Sequence, residues 1–188
     1  MPNIKNFFKT FIFLIFISTV LFSQENPPSV VSVSNPDIKV LSSKKFTWSP
    51  KSIYVYEDER FRGFPLKEVF EKDIREKLTN NGFTYVASVE DVAILVGYVL
   101  ALESALSDMD INNLYEINPG FVPGNYDEDK YEKGTVIIDI IESRTNRMVW
   151  RGALQGLANF DVPEKERKKN IKGVVELLLN QFIKEYGN

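Results

Sequence analysis

The chain has 188 residues, of which 44% are apolar, 26% charged and 13% aromatic. This length and composition are typical of one domain with a single hydrophobic core, which excludes a wholly disordered chain. The sequence contains neither His nor Cys. It therefore excludes Ser-His-Asp and Cys-His catalytic centres, Cys/His zinc sites and disulfides. The chemistry that stays open depends on carboxylates, Lys, Tyr, Ser and the backbone.

The first 23 residues have the order of a secretory signal peptide. Lys5 and Lys9 precede an apolar run over 11–22, and the small residue Ser23 stands before Gln24. A run of about twelve apolar residues fits the hydrophobic region of a signal and is shorter than the roughly 20 residues that span a bilayer as a helix. We expect export to the periplasm or the medium of a Gram-negative-type bacterium, with cleavage between Ser23 and Gln24. An uncleaved anchor is the alternative.

Without this segment the net charge changes from −3 to about −5, because Lys5 and Lys9 are removed. An acidic chain repels the phosphate backbone, so we expect no nucleic acid among its partners. We also expect no cofactor, and no membrane contact once the signal is removed.

Residues 24–45 are rich in Pro and Ser and read as a linker. The β-branched residues Val30, Val31 and Val33 and the apolar stretch 38–41 lie next to prolines. Such stretches are tolerated at a sheet edge, so this linker has a possible edge strand. Residues 46–188 are predicted to form a single domain.

Five strands and two helices are predicted in that domain. The apolar residues Leu66, Val69, Phe70, Ile74 and Leu78 recur at helical spacing, and a second amphipathic helix runs to Tyr186 from a capping box of Asp161 and Glu164. The predicted strands cover 52–56, 83–87, 92–106, 135–141 and 148–158. The order β-α-β-β-loop-β-β-α predicts an α+β fold, a two-layer sandwich of a mostly antiparallel sheet with each helix covering one face.

The segment 107–134 interrupts this pattern with two Pro-Gly pairs and an acidic run. It is predicted to be a long loop, and loops of this length in a compact domain are usually functional or disordered. Its aromatic residues Tyr115, Phe121, Tyr126 and Tyr131 make it the candidate interaction loop. The alternative is that these rings pack the loop onto the sheet.

Three weaker patterns suggest other activities. Asp108 and Asp110 begin like a calcium-binding loop, but Asn113 and Pro119 replace the Gly and Glu that such a loop requires. We interpret this stretch as a solvated turn, and no metal site is predicted.

Carboxylate pairs can hydrolyse glycosides without His or Cys. The candidates are Asp139 with Glu142, or the run Glu57, Asp58 and Glu59. No catalytic residue is assigned, because nothing in the sequence brings two of these acids together.

A basic group opens the last helix, formed by Lys165, Arg167, Lys168, Lys169 and Lys172. Glu164 and Glu166 dilute its charge, so a solvated helix face is favoured over a contact with anionic lipid.

Several segments, in this order, resemble the domain-of-unknown-function family numbered 4136. They are Phe46–Pro50, Leu78–Phe83, Glu90–Val96, Gly134–Ile140, Val149–Gly152 and the last amphipathic helix. The resemblance covers roughly residues 40–186. It implies an α+β fold like that of envelope accessory lipoproteins, and a small exported envelope protein without an established activity. This chain has no Cys for lipidation, so we expect no lipid anchor.

These observations predict a non-enzymatic domain of the cell envelope that binds another protein or an envelope polymer. The alternative is a carboxylate-dependent hydrolase that acts on an envelope glycan.

Overall fold

The computed structural model describes residues 26–38, 41–56, 58–90 and 92–187. The predicted signal segment, with Ser23 and Gln24, lies outside the described residues. Six strands are present: β1 Ser29–Ser34, β2 Lys45–Val55, β3 Thr84–Tyr85, β4 Ile94–Leu102, β5 Tyr131–Glu142 and β6 Arg147–Asn159. The helices are α1 Leu66–Thr79, α2 Asp108–Tyr115 and α3 Glu164–Tyr186.

The strands form one sheet in the order β1-β6-β5-β4-β2-β3. Neighbouring strands are antiparallel except β2, which runs parallel to both β3 and β4. The predicted α+β fold is confirmed, with six strands and three helices in place of five and two. The possible edge strand is present as β1, which pairs along its whole length with β6.

Both amphipathic helices pack on the same face of the sheet, which we call the helix face. Phe70, Ile74 and Leu78 of α1 and Leu178 and Phe182 of α3 share one buried core with alternate residues of the strands. The two helices therefore form a single layer against the sheet, which confirms the predicted two-layer sandwich. The physical reason is the strand alternation, because the large apolar side chains of β5 and β6 point to this face while polar ones point to the other.

Element boundaries differ from the predictions where a proline or a bulge intervenes. β2 begins at Lys45 and has an irregularity between Trp48 and Ile53 that includes Pro50. Such a bulge accommodates a residue without an N–H, so the strand continues through it.

The predicted capping box at the start of the last helix is wrong. α3 begins at Glu164 after Pro163, and no side chain caps it. Asp161 lies two residues before the cap position. Its backbone N–H instead donates to the side chain of Asn159, as part of the turn that follows β6.

Trp150 is fully buried on the helix face, and its ring centroid lies 5.6 Å from that of Phe182. The indole of Trp150 thus has a packing role in the core. The indole covers Gly152, where a Cβ would lie 2.2 Å from the ring. Trp48 is partly buried against the same core. Within the described ranges, no helix is both long and apolar enough to cross a bilayer.

Two alanine substitutions should have opposite effects on stability. Gly152→Ala should lower the free energy of unfolding by about 1–3 kcal/mol or more, because the new methyl group overlaps the Trp150 ring. Gly173→Ala should raise it by about 0.5–1 kcal/mol, because the site is inside α3 and no described atom beyond the adjoining backbone of the helix lies within 4 Å of the new Cβ.

Urea denaturation followed by circular dichroism measures both changes. The pair controls for the glycine-to-alanine exchange itself, and a Gly152→Ala protein as stable as the wild type would contradict the packing described here.

Candidate functional site

The second face of the sheet includes several polar side chains, whereas the helix face is apolar. Across β5 and β6, Asp139 lies opposite Arg151 and Thr135 opposite Gln155, between apolar pairs such as Ile137 with Ala153. We call this surface the polar face. The segment 107–134, which follows β4, lies over it.

The segment begins as a helix, not as the loop that the sequence predicted. Ser107 and Asp110 form a reciprocal capping box, with the Ser107 hydroxyl accepting from the Asp110 N–H at 3.2 Å. Ile111 is buried against Val99, Ala101 and Ile137 of the sheet. The acidic residues that resemble the start of a calcium loop therefore lie in the first turn of α2, where they stabilise the helix N-terminus.

Two polar clusters join the segment to the sheet, and the first is centred on Asp108. Its carboxylate accepts from the Lys133 ammonium and from the Gln155 amide, both at 2.8 Å. Lys133 also lies 2.9 Å from Glu103. Gln155 is fully buried and accepts from the Phe121 N–H at 3.3 Å. This cluster joins α2, the strand β5 and the loop beyond α2 to one another.

The charges of this cluster favour one another. Burial opposes ionisation of Asp108, but the hydrogen bonds from Lys133 and Gln155 outweigh it and lower the pKa of this carboxyl. Burial likewise opposes the charged form of Lys133, while Asp108 and Glu103 together raise its pKa above the ordinary value.

The second cluster is centred on Arg151. The guanidinium donates to both oxygens of Asp139, at 2.6 and 2.7 Å, and also to the Tyr115 carbonyl at the end of α2. It lies 5.5 Å from the centre of the Tyr115 ring. One cation therefore binds a neighbouring strand and the carboxyl end of a helix, where the helix dipole favours positive charge.

The four predicted interaction residues lie at different depths. Phe121 is buried, while Tyr115, Tyr126 and Tyr131 are half-buried. Burial, with the nearby Tyr56, Tyr54 and Asp139, raises the pKa of Tyr115 to about 12, so this phenol stays neutral at physiological pH.

Three other apolar side chains of the same segment project into solvent. Met109 is 73% exposed, Leu114 64% and Val122 86%. Sequence analysis missed these three residues. The helical spacing that buries Ile111 would have placed Met109 outside, had α2 been recognised from its Ser-x-x-Asp capping signature. Leu114 follows Ile111 by three residues, a spacing that predicts the same helix face, so only the structure shows that it is exposed.

The candidate carboxylates are separated from one another. Asp139 is bound by Arg151, Glu142 accepts from the Thr145 hydroxyl, and Glu59 pairs with Arg62. Asp58 accepts from the Arg60 side chain at 2.8 Å, which lowers the pKa of this carboxyl. Glu57 lies outside the described residues.

Glycoside hydrolysis needs two carboxyl groups that face one glycosidic bond, whereas these carboxylates each contact a different neighbouring side chain. The arrangement of these carboxylates thus gives no support to the hydrolase alternative. Within the part of the chain that the structure describes, no three His, Cys, Asp or Glu side chains are grouped so as to hold a metal ion.

The basic residues at the start of α3 have different acidic or aromatic partners. Lys168 pairs with Glu164, and the Arg167 guanidinium lies about 5 Å from the rings of Phe61 and Phe64. Lys168, Lys169 and Lys172 line an open hollow of about 460 Å³ between α1 and α3, together with Glu68, Asp73 and Glu76 of α1. The surface is of mixed charge, as expected for a solvated helix face.

Fold and surface together define a six-stranded α+β domain with two helices on one face and a helix-containing segment fastened over the other. The chain belongs to the DUF4136 family, a domain of unknown function, whose model matches residues 30–182. This confirms the family resemblance of the sequence.

Solved structures with the same fold include a DUF4136 family protein, BT2437, from Bacteroides thetaiotaomicron. It is 12% identical with a TM-score of 0.55, and the match covers 86% of this chain and 98% of that one. The PelC dodecamer from Paraburkholderia phytofirmans is 11% identical with a TM-score of 0.49, covering 81% and 96% of the two chains. None of the curated proteins matches the sequence.

The ion pair between Arg151 and Asp139 should contribute strongly to stability. Their side chains are 18% and 10% exposed, so Arg151→Met leaves a largely buried, uncompensated carboxylate. We expect the free energy of unfolding to fall by about 3–5 kcal/mol. The double variant Arg151→Met with Asp139→Leu should regain part of this loss, because no charge is then left unpaired.

Guanidinium denaturation of the single and double variants provides the measurement. If Arg151→Met alone changed the free energy of unfolding by less than about 0.5 kcal/mol, as ordinary surface substitutions do, the described role of the pair would be wrong.

The contribution of Asp108 should depend on pH. Because its pKa is lower in the folded protein than the ordinary value of 3.8, its stabilising effect is complete above that value and is lost as pH falls through the folded pKa. Asp108→Asn should therefore be less stable than the wild type at pH 7, and the difference should shrink below about pH 4. Thermal unfolding at several pH values tests this, and a difference that grows in acid would contradict it.

Proposed function

We propose that this chain is a non-enzymatic binding domain of the cell envelope, and that it binds a protein partner through the segment 107–134. The observation that carries the proposal is the contrast within this segment. The Asp108 carboxylate of the segment binds Lys133 and Gln155 of the sheet, whereas Met109, Leu114 and Val122 project into solvent.

The contacts between the segment and the sheet favour binding because they order the exposed surface before a partner binds. The capping box, the Asp108 cluster and the Arg151 contact hold α2 at three places. A surface that is already ordered loses less conformational entropy when a partner binds. Exposed aliphatic side chains on an ordered segment, surrounded by polar ones, are typical of a protein interface.

The exposed chemistry favours a protein over a polysaccharide. Sugar rings are usually bound by exposed aromatic faces and convergent hydrogen-bonding groups. Here Phe121 is buried, and Tyr115 packs against the apolar residues around Ile111. Aliphatic side chains instead suit the apolar centre of a protein contact. The envelope location is supported by the signal-like order of Lys5, Lys9 and the apolar run that follows.

Paired lysine substitutions should identify the binding surface. The protein is cross-linked in its own cell envelope and captured, as wild type and as Leu114→Lys with Val122→Lys. A specific partner should be captured by the wild type and lost from the double variant, because a charge at the apolar centre of an interface is not desolvated favourably.

Leu177→Lys is the matched control, since Leu177 is 48% exposed on α3 and distant in sequence from the segment. It should retain the partner, and deletion of residues 112–129 should abolish capture. Capture that is equal for all variants would overturn the binding surface. Mass spectrometry of the captured bait also reads its first residue, and a chain that still begins at Met1 would count against cleavage after Ser23.

A further inference from the structure

Among the residues that the structure describes, the outer edge of β1 presents unpaired backbone groups. β1 is the last strand of the described sheet and pairs with β6 on one side only. The Asn35 N–H donates to the Val149 carbonyl at 2.8 Å. This bond shows which residues of β1 direct their backbone groups to β6 and which direct them outward. Odd-numbered residues of β1 thus bond to β6, while Val30, Ser32 and Ser34 direct their N–H and C=O groups outward. The edge offers three donors and three acceptors.

This edge lacks the features that usually prevent strand pairing. Proteins protect sheet edges with charged side chains, internal prolines, bulges or very short strands. The sequence of β1 is SVVSVS, without charge or proline, and its register with β6 is continuous over six residue pairs. The opposite edge is different, because β3 has only two residues.

We propose that β1 pairs antiparallel with β1 of a second copy of this chain, about a two-fold axis at Ser32. In this register Ser32 lies opposite Ser32 of the second copy, and Val30 lies opposite its Ser34. Every outward donor and acceptor then finds a partner, because residues 30, 32 and 34 form three hydrogen-bonded pairs of the antiparallel type. Moving the axis to residue 31 or 33 leaves one outward residue of each copy unpaired.

The side chains and the strand ends agree with the same axis. Val31 comes opposite Val33 of the second copy on the polar face, where Val33 is 43% exposed, and such β-branched pairs stabilise neighbouring strands. Pro28 and Pro36 stand four residues before and after Ser32, so a two-fold axis there places each proline opposite the other. Neither has an N–H to donate, so the pairing ends at equivalent points in both copies.

Charge does not oppose this arrangement. Among the described residues, an acidic side chain that hydrogen-bonds to β1 is Glu185, whose carboxylate accepts from the Ser34 hydroxyl at 2.6 Å, two residues from the axis. We favour a second copy of β1 over an unrelated strand for one reason. When both strands have this sequence, the same axis pairs all the outward backbone groups and places a proline at each end of the pairing. The dimer edge and the segment 107–134 are separate surfaces, so each proposal can fail without the other.

A single cysteine tests the register, because the chain contains none of its own. Hydrogen-bonded residues of antiparallel strands have Cα atoms about 5.5 Å apart, within the range that a disulfide joins. Ser32→Cys, purified as its cells process it, should form a disulfide-linked dimer on mild oxidation. Ser34→Cys should not, because the two cysteines would then be about 13 Å apart along the strands, beyond the reach of a disulfide.

Ser32→Lys tests the interface without oxidation. Two ammonium groups opposite each other at the axis should raise the dimer dissociation constant by more than about tenfold in sedimentation equilibrium. Ser32 is exposed and its N–H points outward, so circular dichroism should show an unchanged fold. Leu177→Lys adds the same charge on α3 and should leave the dissociation constant unchanged.

The proposal is overturned if folded Ser32→Cys stays monomeric on oxidation, or if Ser34→Cys cross-links as readily. It is equally overturned if the wild type is a monomer at every concentration, or if the edge is found to pair with a strand of a different protein.

Discussion

The register between β5 and β6 is the constraint on which the rest of this structure depends. It places Asp139 opposite Arg151 and Thr135 opposite Gln155 on one face, and Ile138 and Ile140 on the other. Because side chains alternate along a strand, a slip of one residue would turn the ion pair into the helix core and expose the isoleucines. The two faces are therefore specified together, one for the packing of α1 and α3 and the other for the segment 107–134.

The polar face explains how a long insertion after β4 becomes part of an ordered domain. A segment of this composition buries few apolar side chains, chiefly Ile111, Ile117 and Phe121. Its order also depends on charge pairs that are partly shielded from water, where such pairs are stronger than on an open surface. Since Asp108 and Arg151 use these pairs for anchoring, they are not free for chemistry.

This division of roles connects the structure to the proposed activity. Many of the described acids pair with basic side chains or accept from hydroxyl groups, and burial raises the pKa of Tyr115 so that its phenol stays neutral. The segment leaves the apolar side chains of Met109, Leu114 and Val122 accessible, and the sheet leaves the outward backbone groups of β1 accessible. Both features are suited to association with other polypeptides, one through side chains and the other through main-chain hydrogen bonds.

The sequence by itself determined the α+β class, the family, the helix over 66–79 and the β5–β6 hairpin, because apolar spacing is a local property that survives in any surroundings. It also indicated the edge strand through Val30, Val31 and Val33. Only the tertiary structure showed that 107–134 begins with a helix and lies over the second face of the sheet. It alone brought Arg151 to Tyr115 and Lys133 to Asp108, since these contacts join residues 25 or more positions apart. The spacing of residues along one strand does not show which distant side chain lies above it. These long-range contacts determine which side chains of the segment are buried against the sheet and which stay exposed to solvent.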